Sequence, residues 1–340
     1  MDLPYHDYLP LHLLAGCFNN SSTTYKFYWF LTVLRRVETG DTTIQKRDLF
    51  TEMVSHAWYT VNYFTVSFGK QDKLQAAIEQ LKALEQLTID ADRRFIFQRL
   101  AASENKQTLR QLRYFNGEVP HRFLSPWFRA ADSQAFYTAS QGFDNQCLYA
   151  LYADRIEINP VWVDYLKRHA GILREFCCWN LAVYLQAKNP NVPDIPNKLI
   201  KLPIRKAVTE QRKFWDIVIG ELGSVDCIYT NTKLVIGDYV VEHFLPYAFF
   251  PHALMWNLIP PDGLSIVPKV INCLPLKTTL SRTLTYNYLR WRSYSIKHLN
   301  INFWKTILRL YLMFSYLNGR GYWSKYSRWR PSLKITAFNF

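Results

Sequence analysis

The last quarter of the chain has no acid. Neither Asp nor Glu occurs after Asp262 through Phe340, while 13 of the 41 Lys and Arg residues lie there. The preceding residues hold the other 28 basic residues and all 27 acidic ones, a net of +1 against +14 for the whole chain. The overall basicity is therefore weak ground for nucleic-acid binding by the folded body. Cysteine is sparse as well. Cys17, Cys147, Cys177, Cys178, Cys227 and Cys273 form no CxxC pair, which argues against a zinc knuckle or a disulfide framework and points to free thiols in a reducing cytosol. The start, Met-Asp-Leu-Pro-Tyr-His-Asp, has neither a positive n-region nor a long apolar stretch, so no signal peptide is expected. No run reaches the roughly 18 apolar residues of a membrane span. Leu299–Leu317 comes nearest, and Lys305 and Arg309 interrupt it. A cytoplasmic protein without a membrane partner is the expectation.

What is abundant is aromatic. Twenty-two Phe, 22 Tyr and 11 Trp accompany an apolar fraction of 49%, and most of these rings are expected to fill a core, with a minority free to stack on bases. A length of 340 residues suits one large domain or two ordinary ones. Asp72, followed by Leu74, Ile78, Leu81, Leu84 and Leu87, reads as an N-capped amphipathic helix. Thr24–Val37 reads as another, capped by the polar cluster Asn19–Thr23, and residues 133–152 and 161–185 as two more. Pro190, Pro193, Pro196 and Pro203 mark Asn189–Pro203 as a linker. A helical pattern resumes over Lys206–Leu222. Short β-type runs follow at 226–229 and 238–245, the second after a Gly237-Asp238 turn signal, with another at 256–259. The predicted fold class is α+β, mostly α: a helical domain over residues 1–200, a small β-rich module over 201–275, and an irregular basic tail over 276–340.

The chemistry-bearing residues lie in that module. Glu242-His243 ends a β-type run with Pro246 close behind, and Asn257 follows His243 by 14 positions beside Trp256. Phosphodiester hydrolysis needs a base to take a proton from water, charge stabilisation at the phosphate, and neutralisation of the leaving oxygen. A histidine, whose ordinary pKa is about 6.5, suits the first task. A carboxylate that holds a hard divalent cation suits the others. Neighbours on a strand point to opposite faces; a strand end would relax that and let both reach one site. A lone histidine here would more commonly be a satisfied core residue. His252 is expected at the surface.

Glu242-His243-Phe-Leu-Pro followed by Trp256-Asn257-Leu-Ile-Pro resembles the HNH (ββα-metal) endonucleases, and the upstream Cys-Ile-Tyr-Thr-Asn-Thr-Lys-Leu resembles the hairpin those domains place before the motif. The resemblance covers residues 227–260. It implies His243 as general base, Glu242 as a ligand of a single Mg2+ or Mn2+, Asn257 as the residue that braces the loop, and DNA as the partner. The family pattern then expects a metal-binding Asn or His at position 266, within Asn-Ser-Ser-Lys-Ser. This chain has Ile266, and Pro268 opposes a helix interior.

Back-translation offers a reason. Written with suitable third bases and started one base earlier, the codons of Ile266–Cys273 read Asn-Ser-Ser-Lys-Ser-Asp-Lys-Leu. The same shift turns Trp304-Lys305 into a codon for Glu. Residues after about Gly263 are therefore expected to be an out-of-frame translation. A genuine basic, aromatic tail is second: Arg290, Arg292, Arg328 and Arg330 interleave with Trp291 and Trp329, as in nucleic-acid-binding segments. In the body, Lys106, Arg110, Arg113, Arg122 and Arg129 run close to Tyr114, Phe115, Trp127 and Phe128, a pattern expected to be a solvated face. The functional expectation is a metal-dependent HNH endonuclease acting on DNA, lacking one ligand in this chain. The alternative is a non-enzymatic protein of that ancestry that binds nucleic acid or a partner.

Overall fold

A computed structural model describes residues 3–19, 21–128, 133–200 and 207–263. Among these the fold is α+β and mostly helical. The described residues divide into two compact units: those up to 200 together with 245–252, and 207–244 together with 253–263.

The first unit opens with α1 (Leu11–Gly16) and α2 (Tyr25–Glu38), then β1 (Thr43–Gln45) and α3 (Lys46–Asn62). It continues through α4 (Lys73–Leu84), α5 (Arg93–Ala101), α6 (Lys106–Tyr114) and α7 (Pro120–Phe123) to α8 (Ser133–Gln141). Next come β2 (Tyr149–Leu151) and β3 (Arg155–Ile158), then α9 (Pro160–Arg168), α10 (Ala170–Lys188) and α11 (Ile195–Ile200). β1, β3 and β2 form an antiparallel sheet in that order, with Ile44 opposite Ile156 and Leu151 opposite Ile156 on its other side.

The core of this unit is aromatic. Trp29, Trp58, Trp162, Phe27, Phe30, Phe115, Phe123 and Tyr149 are all buried. Phe30 stacks on Phe123 and Phe123 on Tyr149. Buried ring polar atoms need partners, and these have them: Trp29 Nε1 donates to the Tyr149 hydroxyl at 2.9 Å, which donates to the Pro120 carbonyl at 2.7 Å.

Asp72 caps α4, its side chain accepting from the Leu74 N–H at 2.8 Å. It also reaches α2, accepting from the Thr24 N–H at 2.6 Å and the Thr24 hydroxyl at 2.7 Å. The N-cap of α2 is Thr24, just past the expected Asn19–Thr23 cluster, and it is held by this buried aspartate from a distant turn.

Three expectations are corrected. Residues 133–152 are not one helix: α8 stops at Gln141, Phe143, Asn145 and Gln146 take positive φ, and the chain enters β2. Gly142, Asp144 and Asn145 are turn formers, and their chemistry outweighs the apolar spacing. Residues 161–185 are two helices that meet at His169, which leaves helical geometry at φ −108°, ψ 15°. The linker at Asn189–Pro203 contains α11. Pro196 is tolerated there because it sits in the first turn, where its missing N–H has no intrahelical partner to lose.

The second unit comprises α12 (Thr209–Leu222) and four two-residue strands: β4 (Val225–Asp226), β5 (Lys233–Leu234), β6 (Glu242–His243) and β7 (Leu258–Ile259). β4 pairs antiparallel with β5, and β6 with β7. Trp215, Val218 and Ile219 of α12 pack with Cys227, Leu234, Tyr239, Val241 and Leu258. The strand expected at 226–229 is only the end of β4, because Asn231 is left-handed (φ 61°) and closes a tight loop through its N–H to the Cys227 carbonyl at 2.9 Å. Gly237 does mark a turn: its φ of 90° suits glycine, and the Asp238 N–H closes onto the Val235 carbonyl at 3.1 Å.

Candidate active site

The two segments singled out above are hydrogen-bonded partners. Glu242 lies opposite Ile259 and His243 opposite Leu258. The same register continues at both ends: the Val240 N–H donates to the Pro261 carbonyl at 3.1 Å, and the Phe244 N–H to the Asn257 carbonyl at 2.7 Å. Asn257 closes a 3₁₀ turn, Met255–Asn257, that leads directly into β7. Asn257 therefore lies across the ladder from Phe244, beside His243.

Strand alternation sends His243 toward the face of Leu258 and Glu242 toward that of Ile259. The Glu242 carboxylate nonetheless turns back on its neighbour. Its Oε1 accepts the His243 N–H at 3.1 Å and lies 3.9 Å from His243 Nδ1. The second distance is an electrostatic contact and too long for a hydrogen bond. His243 is buried, at 4% exposure, and Asn257 is fully buried, whereas the Glu242 side chain keeps 23% of its surface. His252, expected at the surface, is half-buried with its ring tilted against Phe250 at 5.3 Å.

Two residues not singled out in the sequence support this arrangement, Trp215 outside the matched stretch and Tyr229 within it. Trp215, buried on α12, donates its Nε1 to the Leu258 carbonyl at 3.2 Å and so fixes the strand that follows Asn257. Its place in the apolar stripe of Phe214–Ile219 was the only sign in the sequence. Tyr229 stands near enough to Glu242 to feel its charge: burial first, then Cys227 and Glu242, push its hydroxyl up to about 12. Arg212 and Asp216 of α12 hold the approach to β6. Arg212 donates to the Tyr239 carbonyl at 3.1 Å, and the Tyr239 hydroxyl lies 2.6 Å from Asp216 Oδ1.

As a metal centre the set is partial. Glu242 offers one carboxylate, which suits a place on Mg2+ or Mn2+, ions that keep several waters and use one or two carboxylates. Among the described residues, no group of three or more His, Cys, Asp or Glu side chains gathers that would hold a metal. Position 266 and the whole acid-free stretch lie outside the described residues, as does Arg129. On α6, Lys106, Arg110 and Arg113 are exposed, and so is Arg122, which pairs with Glu118 at 3.3 Å. Phe115, Trp127 and Phe128 are buried, whereas Tyr114 is exposed.

The described cysteines, Cys17, Cys147, Cys177, Cys178 and Cys227, are free thiols. Among the described residues no helix is long and apolar enough to cross a membrane. No protein-family model matches the chain, and no characterised protein or solved structure matches it either.

Proposed function

We propose that residues 201–275 form a module of the HNH type that hydrolyses DNA phosphodiester bonds. The observation that carries this reading is the ladder joining Glu242-His243 to the residues around Asn257, with the Phe244 N–H on the Asn257 carbonyl at 2.7 Å. It supports the roles by bringing together, across one hairpin, residue types suited to base, ligand and brace.

In this reading His243 takes a proton from the attacking water. Asn257, buried at the strand entry, holds the far side of the hairpin in register with it. Glu242 would hold Mg2+ or Mn2+, and the bound cation would supply Lewis-acid stabilisation of the phosphate. The helical region over 1–200 has no assigned role in this chemistry.

One observation favours the second reading, a non-enzymatic protein of the same ancestry. A general base must meet water and phosphate, yet His243 is 4% exposed in this chain, which also lacks the second ligand at Ile266.

Plasmid nicking with Mg2+ or Mn2+ separates the two readings. It is run on this chain and on a version whose reading frame is restored after Gly263. Nicking that appears on frame restoration and is abolished by a chelator is the expected result. A restored chain that binds DNA without cutting it would support the non-enzymatic reading. The gene's nucleotide sequence tests the frame itself: stop codons closing the alternative frame within this stretch would end that idea.

A further inference from the structure

Far from the hairpin in sequence, α6 carries charge of one sign. Its residues, Lys-Gln-Thr-Leu-Arg-Gln-Leu-Arg-Tyr, include no acid. At 3.6 residues per turn, Lys106, Arg110 and Arg113 fall within about 60° of arc and span about 10 Å of the axis. All are exposed, while Thr108 and Leu112 on the opposite side are buried. Tyr114 ends the stripe at 45% exposure, its ring held edge-on by buried Phe115 at 5.5 Å.

The surroundings do not neutralise this stripe. Among the described residues none of Lys106, Arg110 and Arg113 enters an ion pair. Glu85, beneath α6, accepts from the Thr108 hydroxyl at 2.6 Å and is matched by Arg99 at 3.2 Å. Glu118 is matched by Arg122. On α3, which packs against α6, Lys46 and Arg47 balance Asp48 and Glu52. α4 meets α6 where Gln111 Nε2 donates to Gln80 Oε1 at 2.6 Å. Counting α4, its cap and the residues before α6, Lys73, Lys82, Lys106, Arg110 and Arg113 outnumber Asp72, Glu79 and Glu104.

The stripe disfavours its own helix. Lys106 and Arg110 are like charges at i,i+4, and Arg110 and Arg113 at i,i+3. Lys106 also stands at the end where the helix dipole prefers an anion. A face that only has to be wet is free to mix signs, as α4 does with Glu79 and Lys82. Cations alone at this spacing suit a polyanion. A nucleic acid fits best: a duplex offers a phosphate charge about every 1.7 Å of its axis, and Tyr114 offers a ring on which a base can stack. An acidic membrane surface fits less well, because Leu109 is half-buried and Leu112 buried, which leaves the stripe no apolar face to insert.

We propose that α6 is a nucleic-acid contact of the helical unit, in which Lys106, Arg110 and Arg113 hold backbone phosphates and Tyr114 stacks on an unpaired base. It rests on the reading of DNA as the partner but on none of the metal or His243 chemistry, so binding with a chelator present tests it apart from nicking.

The experiment is fluorescence anisotropy of labelled single-stranded and duplex oligonucleotides with the full chain in EDTA, over about 50 to 200 mM salt. The acid-free stretch brings cations of its own, so the quantity read is the change in salt dependence between variants. Lys106→Gln/Arg110→Gln/Arg113→Gln should lower the slope of log affinity against log salt by about 2–3, the loss of three phosphate contacts. Lys167→Gln/Arg168→Gln/Lys188→Gln, which removes the same charge from α9 and α10, should leave the slope as it is. The α6 variant should unfold at the parent's temperature or higher, since Gln keeps the helix propensity and the like-charge contacts are gone. Tyr114→Ala should weaken single-stranded binding at least about fivefold, with Tyr114→Phe retaining it; undiminished binding by Tyr114→Ala would remove the stacking role. An unchanged slope in the α6 variant, an equal loss in the α9 and α10 variant, or equal competition by polyglutamate of matched charge would overturn the proposal.

Discussion

At the scale of single residues, burial decides what a polar side chain does. Glu52 illustrates the balance. Burial pushes its carboxyl up, but the His56 ring and the Arg35 and Arg36 guanidiniums together bring it below its ordinary value of 4.5. Its charged form is therefore favoured by folding, and the stability it contributes is complete above pH 4.5 and lost as pH falls through its lowered value. Glu52→Gln is expected to cost about 2 kcal/mol near neutral pH, since it leaves two guanidiniums short of their acceptor. Urea unfolding across pH checks this: the difference between the two chains should shrink as pH drops below 4.5. His243 and Asn257 show what sequence could convey at this scale. Their residue types and spacing were legible, because both sit in a local hairpin. Their depth was not, because it depends on α12 and on Trp215, a residue whose apolar neighbours make it look like any other core tryptophan.

At the scale of elements, caps and turns carried more weight than periodicity. The start of α4 was legible because Asp72 precedes an apolar period and bonds the Leu74 N–H. Its second task, holding Thr24 at the start of α2, was not, since Thr24 lies 48 residues away. Asp72→Ala should cost about 2 kcal/mol by removing one cap and orphaning the buried Thr24 donors. Chemical unfolding gives the loss, and amide exchange at Leu74 and Thr24 should quicken together. The break between α8 and β2 escaped because β2 is short and buried along its whole length, so it shows no alternation. α9 and α10 read as one helix because the apolar period runs straight through His169, whose departure from helical geometry leaves no mark in composition. In the smaller unit, α12 and β7 are joined through Trp215. Trp215→Ala should lower the stability of that unit by about 3–5 kcal/mol, seen as faster exchange at the Phe244 amide, which bonds to Asn257.

At the scale of the whole molecule, the chain pairs an aromatic-cored helical unit with a small strand-and-helix unit that holds Glu242, His243 and Asn257. The α+β, mostly helical class was readable from sequence because long apolar periods dominate the first 200 residues. The short strands of the second unit were harder to bound, since two-residue ladders are set by pairing more than by propensity. The charge imbalance belongs to the same scale: a near-neutral body precedes an acid-free stretch. Whether His243 acts as the base of a DNA-cutting site is measured by the rate of plasmid nicking by the frame-restored chain with and without His243→Ala. Metal-dependent nicking that falls at least about a hundredfold in His243→Ala is expected; nicking undiminished by His243→Ala would rule His243 out as the base.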